Sequence, residues 1–292
     1  MSKSVWWLKH TALGLAGALS LGGAASACEG AGVIIRIEGQ PQDVQITRLD
    51  GTAKSLVTRP RVLEVVCHND VIRATGATYL VLSIDGAGTV KVDRNIAYTV
   101  PGRTGAPTMV GNAYRTLNDQ VLPDMKRLPW NVRIKGAGDD FGFALPALVA
   151  GGQKVQAGQR SLLIRLVGGT APYRVEIHDA QGKLVASQSS PDHQVVLPGV
   201  PLGAGDYKIT ASDSTPRSLD ATVSAVPQGP PQDGAYAGLA DPEIKSAAVA
   251  TGLARDQTAT WSFEAEQELN AAPADGLDRD KVYELIESYS AE

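Results

Sequence analysis

The chain has 292 residues, 43% hydrophobic but only 5% aromatic, which is enough for two or three small cores rather than one large one. Its formal net charge is −4, from 27 Lys and Arg against 31 Asp and Glu. No basic cluster occurs, which argues against nucleic acid or anionic lipid as the main ligand, because neutralising phosphates requires grouped Lys and Arg.

Residues 1–27 read as a secretory signal. Lys3, Lys9 and His10 make a positive start, Ala12 to Gly23 is an apolar run, and Ala25-Ser26-Ala27 is a small-x-small cleavage site. A membrane anchor needs roughly 20 apolar residues, whereas this run ends in small ones. Cleavage after Ala27 is expected, leaving a periplasmic or extracellular bacterial protein of net charge −6, with Lys3 and Lys9 gone. No later segment is long and apolar enough for an integral membrane span.

The two cysteines, Cys28 and Cys67, would then sit in an oxidising compartment, where a pair is usually a disulfide. The competing reading is a lipid anchor on Cys28. It is less favoured, because Ala25 stands where a lipoprotein signal prefers Leu and because lipidation would leave Cys67 unpaired.

Residues 28–135 are dense in short β-like runs: Gly32 to Glu38, Val44 to Leu49, Val62 to Cys67, Val71 to Ala74, Tyr79 to Ile84, Thr89 to Val92 and Ile96 to Val100. Gly, Asp, Asn or Pro separates them, which predicts a compact all-β module. Ala113 to Met125 has the pattern of one short helix. Residues 136–159 are rich in Gly and Ala and read as a connection with one or two short strands, without a core of its own.

Residues 160–226 predict a second β module of about six strands at sandwich spacing. Within it Leu202-Gly203-Ala204-Gly205-Asp206-Tyr207 is L-x-x-G-x-Y, the pattern of a tyrosine corner, in which a buried ring returns its hydroxyl to the backbone. Residues 227–240 open with a Pro-rich stretch and read as a semi-rigid linker. Residues 241–292 turn helical, starting at Asp241-Pro242-Glu243 with an N-cap, a first-turn Pro and an acid at the positive dipole end. Three helices are predicted: Pro242 to Ala254, Gln257 to Asn270 and Asp278 to Ser288. About 50 residues bury too little to stand alone, so this tail is expected to dock, on a partner or on the β modules. The fold class is therefore mainly β, with a small α-helical C-terminal segment.

Two stretches resemble known families. Asn69-Asp70-Val71-Ile72-Arg73-Ala74-Thr75-Gly76, then Tyr79 to Ile84, Asp85-Gly86 and Thr89 to Val92, resemble the FecR-type periplasmic domain, whose signature reads G-D-x-I-x-T-G, a strand, D-G and another strand. Arg48-Leu49-Asp50-Gly51 matches its opening hairpin. The match covers roughly residues 33–100 and departs at Asn69, where Gly is usual, and at Ala87-Gly88, which lengthens a hairpin. It implies an envelope module that contacts other proteins. Here a cleavable signal replaces the cytoplasmic segment and membrane helix of the family's anti-sigma regulators. Residues 160–226, with Gly168-Gly169 and Pro172-Tyr173, resemble a bacterial immunoglobulin-like repeat.

Chemistry is hard to find. His68 adjoins Cys67 in sequence, which is not the spatial pairing a thiol nucleophile needs; His178 reads as a solvent-facing strand residue and His193 as turn decoration. No zinc, EF-hand, nucleotide or serine-hydrolase motif occurs. Asp139-Asp140 and the Asp275, Asp278 and Asp280 group read better as loop and helix-start acids than as ligands. No catalytic, cofactor or metal residues are assigned.

The expected function is a non-enzymatic periplasmic adaptor, sensor or scaffold that binds another envelope protein through a sheet edge or the helical tail. Trp261, Phe263 and Leu269 are the candidate anchors, rimmed by solvated Glu264, Glu266, Glu268 and Glu287, unless these residues simply pack inside. The alternative is a carbohydrate- or cell-wall-binding protein or surface adhesin. Sugar sites favour exposed aromatic platforms, and Trp130 and Trp261 are the only tryptophans beyond the signal.

Overall fold

The structure, a computed structural model, describes residues 28, 30–50, 53–102, 113–114, 116–117, 141–215, 217–231, 234–255, 260–273 and 276–289. The expected signal, Trp130, Asp139-Asp140 and most of the expected helix Ala113 to Met125 lie outside these residues. The chain is mainly β, in several antiparallel sheets with short helices near the C-terminus.

The first unit is a sandwich of two four-stranded sheets. One has the order β4-β1-β6-β7 and the other β3-β2-β5-β8. The strands are β1 (Gly30–Glu38), β2 (Val44–Asp50), β3 (Ala53–Thr58), β4 (Val65–Cys67), β5 (Val71–Ala74), β6 (Tyr79–Ile84), β7 (Gly88–Val92) and β8 (Ala97–Thr99). Ile34, Val44, Ile46, Val66, Ile72, Leu80 and Leu82 fill the space between the sheets. On β1, Ile34 faces this core while Val33 and Ile35 face a second, larger core, as the period-2 geometry of a strand buried on both faces requires.

The motif residues Asn69 and Asp70 are structural in this unit. Asn69 has φ +67°, a left-handed conformation that Asn tolerates better than other non-glycine residues. Asp70 is fully buried; its Oδ2 accepts bonds from the Cys67 amide at 2.8 Å and from Arg48 Nε at 3.4 Å. The signature thus ties hairpin β2-β3 to the β4-β5 corner. Strand β3 is the return strand of the hairpin expected at Asp50-Gly51; Lys54-Ser55 and Thr58 dilute its apolar pattern, so its bounds were not expected.

The second unit pairs a five-stranded sheet, β10-β16-β15-β12-β13, with a three-stranded one, β14-β11-β9. Its strands are β9 (Gly142–Phe143), β10 (Gln153–Gln156), β11 (Gly158–Val167), β12 (Tyr173–Asp179), β13 (Leu184–Ser190), β14 (Gln194–Leu202), β15 (Gly205–Ser212) and β16 (Ser218–Val226). This arrangement fits an immunoglobulin-like sandwich whose first strand is split. Strand β9 pairs with the end of β11, helix α1 (Pro146–Ala150) crosses over, and β10 runs parallel to β16 on the other sheet. The expected connection 136–159 is corrected accordingly. From 141 onward it belongs to the sandwich and buries Phe141, Phe143, Leu145, Leu148 and Val155. Strands of two and four residues are too short to show a period. The tyrosine corner is formed: the buried Tyr207 donates its hydroxyl to the Gly203 carbonyl at 3.2 Å.

The C-terminal helices are α2 (Pro242–Arg255), α3 (Ser262–Ala271) and α4 (Arg279–Tyr289). Asp241 caps α2, its Oδ1 accepting from the Glu243 and Ile244 amides at 3.0 and 3.2 Å. Ile244, Leu253, Phe263, Leu269, Val282, Leu285 and Ile286 join residues of both sandwiches, together with Tyr114 and Leu117, in the larger core. The tail therefore docks in cis. No described helix is long and apolar enough to cross a membrane.

Candidate functional site

The most distinctive chemistry lies where the helical layer meets the sandwiches. Strand β9 covers only Leu166 and Val167 of β11, which leaves most of that edge without a strand partner. Buried backbone groups must still be paired, and α3 supplies the partners. Gln267 Oε1 accepts from the Leu163 amide at 2.7 Å, while its Nε2 donates to the Leu163 carbonyl at 3.0 Å. One side-chain amide thus replaces one residue of a neighbouring strand. Glu264 Oε2 accepts from the Gln156 amide at 3.1 Å, and its Oε1 takes a 2.5 Å bond from Arg160. Gln153 reciprocates, its Oε1 accepting from the Phe263 amide at the start of α3 at 3.0 Å.

Further bonds tie the tail to the first sandwich. Strand β1 has a register shift between Ile34 and Arg36, and the carbonyl of the intervening Ile35 accepts from the Asp278 amide at 2.8 Å. Arg36 Nε donates to the Gly276 carbonyl at 3.1 Å, and Ser83 Oγ to Asp241 Oδ2 at 2.8 Å. Glu243 Oε2 accepts from the Leu277 amide at 3.0 Å and its Oε1 from Arg279 Nε at 3.3 Å. The tail thus covers the β11 edge of the second sandwich, bonds the β1 bulge of the first and adds a hydrophobic layer.

Beside this seam lies a buried charge cluster. Arg165 of β11 bonds to Glu287 of α4, and its guanidinium lies 4.3 Å from the centre of the Tyr283 ring. Glu266 of α3 is 1% exposed, and its Oε1 meets no donor among the described residues. Burial first, then the Glu287 charge, pushes the Glu266 carboxyl up to about 8 against the pull of Arg165. Burial likewise holds Glu287 at about 7 in spite of Arg165. Burial also raises the Tyr283 hydroxyl.

The expected anchors are placed differently from the docking reading. Trp261, Phe263 and Leu269 are 9%, 0% and 0% exposed and pack within the chain's own core, so none is presented to a partner. The expected solvated rim is also corrected, since Glu264, Glu266 and Glu287 are buried and only Glu268 is half-buried. Residues two apart on a helix point about 200° apart, so Glu264 and Glu266 could not share one rim. That spacing was the available signal. Cys28 and Cys67 form the disulfide, with Cα atoms 5.6 Å apart, and pin the start of β1 to the end of β4. This leaves no free thiol on Cys28.

The histidines do not converge. His68 Nδ1 lies 2.7 Å from the Pro101 carbonyl oxygen. His178 contacts Glu176 and the Gly182 carbonyl, both at 3.3 Å. His193 is more than decoration, because its Nε2 lies 2.7 Å from the buried Tyr173 hydroxyl and 3.0 Å from the Gly168 carbonyl. Across that corner the side chain of Asp213 accepts from the Thr170 amide, Thr215 and Arg217. Desolvation opposes ionisation there, but these bonds outweigh it and hold the carboxyl down at about 2. An open depression of about 550 Å³ on the outer face of the five-stranded sheet is lined by His178, Asp179, Asp206 and Lys208 among others. No group of three or more His, Cys, Asp or Glu among the described residues could hold a metal ion.

A scan of protein-family models finds no match, and neither does a search of curated proteins. Among solved structures, CopC from Methylosinus trichosporium OB3b aligns with 28% of this chain and 86% of its own, at 21% identity and a TM-score of 0.21. Dimeric latent PorU from Porphyromonas gingivalis aligns with 70% of this chain at 14% identity and a TM-score of 0.21, and the chain spans 17% of that protein's length. Likenesses this weak carry no argument about fold or function.

Proposed function

We propose that the protein is a non-enzymatic adaptor or scaffold of the bacterial envelope, periplasmic or extracellular, that binds another envelope protein by strand addition along β3. The observation that carries the reading is a contrast between edges. The open edge of β11 is covered by the tail, whereas no described strand pairs with the outer side of β3. This strand carries Leu56 at 56% exposure, beside exposed Lys54, Ser55 and Thr58. An uncovered edge is a template for an extended segment of another chain, with backbone bonds giving affinity and alternate side chains giving selectivity. The FecR-type reading of residues 33–100, the expected signal at 1–27 and the Cys28–Cys67 disulfide support placing this edge outside the cytoplasm.

The test is a photo-crosslinking residue at position 56, compared in intact cells with one at position 184 on β13, with adducts identified by mass spectrometry. One envelope protein captured at 56 only, and lost when Lys54 and Ser55 are changed to proline, supports the reading. Absence of any position-specific adduct rejects it. The sugar-binding alternative gains nothing from Trp261, whose ring is buried.

A further inference from the structure

The edge at β3 carries charge of one sign. Strand β3 pairs with β2 along its whole length, from Ala53 opposite Asp50 to Thr58 opposite Gln45, so its other side offers about 20 Å of backbone to an added strand. Leu56 is in register with Thr47, Val71 and Thr99 across the outer face of the sheet, and the next row runs from Thr58 through Gln45 and Arg73 to Ala97. Neither row contains an acid, although acids outnumber basic residues in the chain. Lys54 shares the face of Leu56 by alternation, and Arg59 follows the last residue of the strand. Lys54, Arg59 and Arg73 are exposed, and among the described residues none of the three has an ion-pair partner. They are too dispersed in sequence to form a basic run; the sheet register is what gathers them. Val57 alternates to the opposite face, where it is half-buried against the sandwich core.

We propose that the segment received by β3 is acidic at both ends: an extended stretch in which two adjacent apolar residues lie beside Leu56 and Val57, and an acid lies beside each of Lys54 and Arg59. The assignment rests on strand addition at β3 and names the chemistry of what is added. Cross-strand neighbours are the unit of sheet stabilisation, with opposite charges and apolar pairs favoured and like charges opposed. An apolar residue beside Val57 extends the sandwich core, and one beside Leu56 removes its exposed surface from water. Polar residues suit the places beside Ser55 and Thr58. The resulting order, acid-polar-apolar-apolar-polar-acid, is the same read from either end, so it serves parallel and antiparallel addition alike. A second copy of this chain is the poorer occupant. With β3 paired antiparallel to itself about Leu56, Lys54 of each copy falls beside Thr58 and next to Arg59 of the other, and these cations then gather with no acid in the rows to offset them.

The test uses the whole mature chain and three synthetic peptides that share a Thr-Val-Val-Thr centre and are bracketed by glutamates, by glutamines or by lysines. Binding is followed by the backbone amide shifts of the protein. The glutamate peptide should shift the β3 amides and bind about 2- to 25-fold more tightly than the glutamine peptide, each opposed acid contributing about 1.4- to 5-fold. That gap should narrow in high salt. In the double variant Lys54→Glu, Arg59→Glu, whose changes lie at exposed positions, the order should invert, with the lysine peptide binding best. Equal binding of all three peptides at β3 would overturn the acidic partner while leaving strand addition standing. Failure of every peptide to move the β3 amides also overturns it, and the crosslink at position 56 then decides strand addition separately. A concentration-dependent dimer in sedimentation that Leu56→Lys abolishes would give the edge to a second copy and overturn the proposal as well.

Discussion

Replacing Gln267 by Met tests the edge-cover account most sharply, because the two side chains have similar length and the change removes only the amide. Gln267 is 1% exposed and makes two bonds, one to each backbone group of Leu163. Without them a buried N–H and a buried C=O lose their partners, each at about 1–3 kcal/mol. Burying an apolar Met recovers about 1 kcal/mol, leaving a net loss of about 1–5 kcal/mol against a total stability of about 5–15 kcal/mol. With a urea m-value of about 3 kcal/mol/M the midpoint should fall by about 0.3–1.7 M. Native-state exchange of the Leu163 amide should accelerate beyond the global change, because that amide loses its specific acceptor. A midpoint unchanged in Gln267→Met, with the Leu163 amide as protected as before, would show that the bonds drawn by Gln267 do not hold the seam.

Two further substitutions probe the sandwiches. Gly169 has φ +77°, and a Cβ there would lie 2.7 Å from the Phe141 ring and 3.2 Å from Tyr173; Gly169→Ala should cost about 2–5 kcal/mol, from left-handed strain and overpacking together, read as a shift in the chemical denaturation midpoint. Removing the Cys28–Cys67 bond by the double change to Ser should destabilise the first sandwich by at most roughly 4 kcal/mol, from the loop entropy that the bond withholds from the unfolded chain. Exchange protection in β1 and β4 should fall most, and equal loss across β12 to β16 would argue against a local role.

Period and turn chemistry made the strands legible. Val71–Ala74 and Tyr79–Ile84 have the bounds that alternation and the flanking Asp70 and Asp85 imply. The pairing of Cys28 with Cys67 followed from cysteine count and expected compartment. The bounds of β3, β9 and β10 were not legible, since two to six residues with polar or Gly neighbours carry little periodic signal. Helix α3 was found, but its role was misread. Phe263 and Leu269 are six residues apart, about 120° around the helix, and every residue from Trp261 to Gln267 is buried. A helix buried all round with Glu264, Glu266 and Gln267 in it must bond those groups internally. Which partners they find, Leu163, Gln156, Arg160 or Arg165, depends on contacts more than 100 residues apart in sequence that no local pattern records.

The placement of the tail changes what a truncation experiment can mean. Removing residues 235–292 would strip Gln267 and Glu264 from the β11 edge and the Asp278 amide from Ile35, and would expose the large core to water. Loss of partner capture in such a variant would follow from misfolding or edge-to-edge aggregation, whether or not the tail ever touched a partner. Leu56→Lys on β3 is the cleaner perturbation. It places a charge on an already exposed position, leaves both cores and the covered β11 edge intact, and disfavours strand addition directly. If the adaptor reading is right, that single surface change separates binding from folding; if binding survives it, the partner engages another face and the uncovered edge of β3 is incidental.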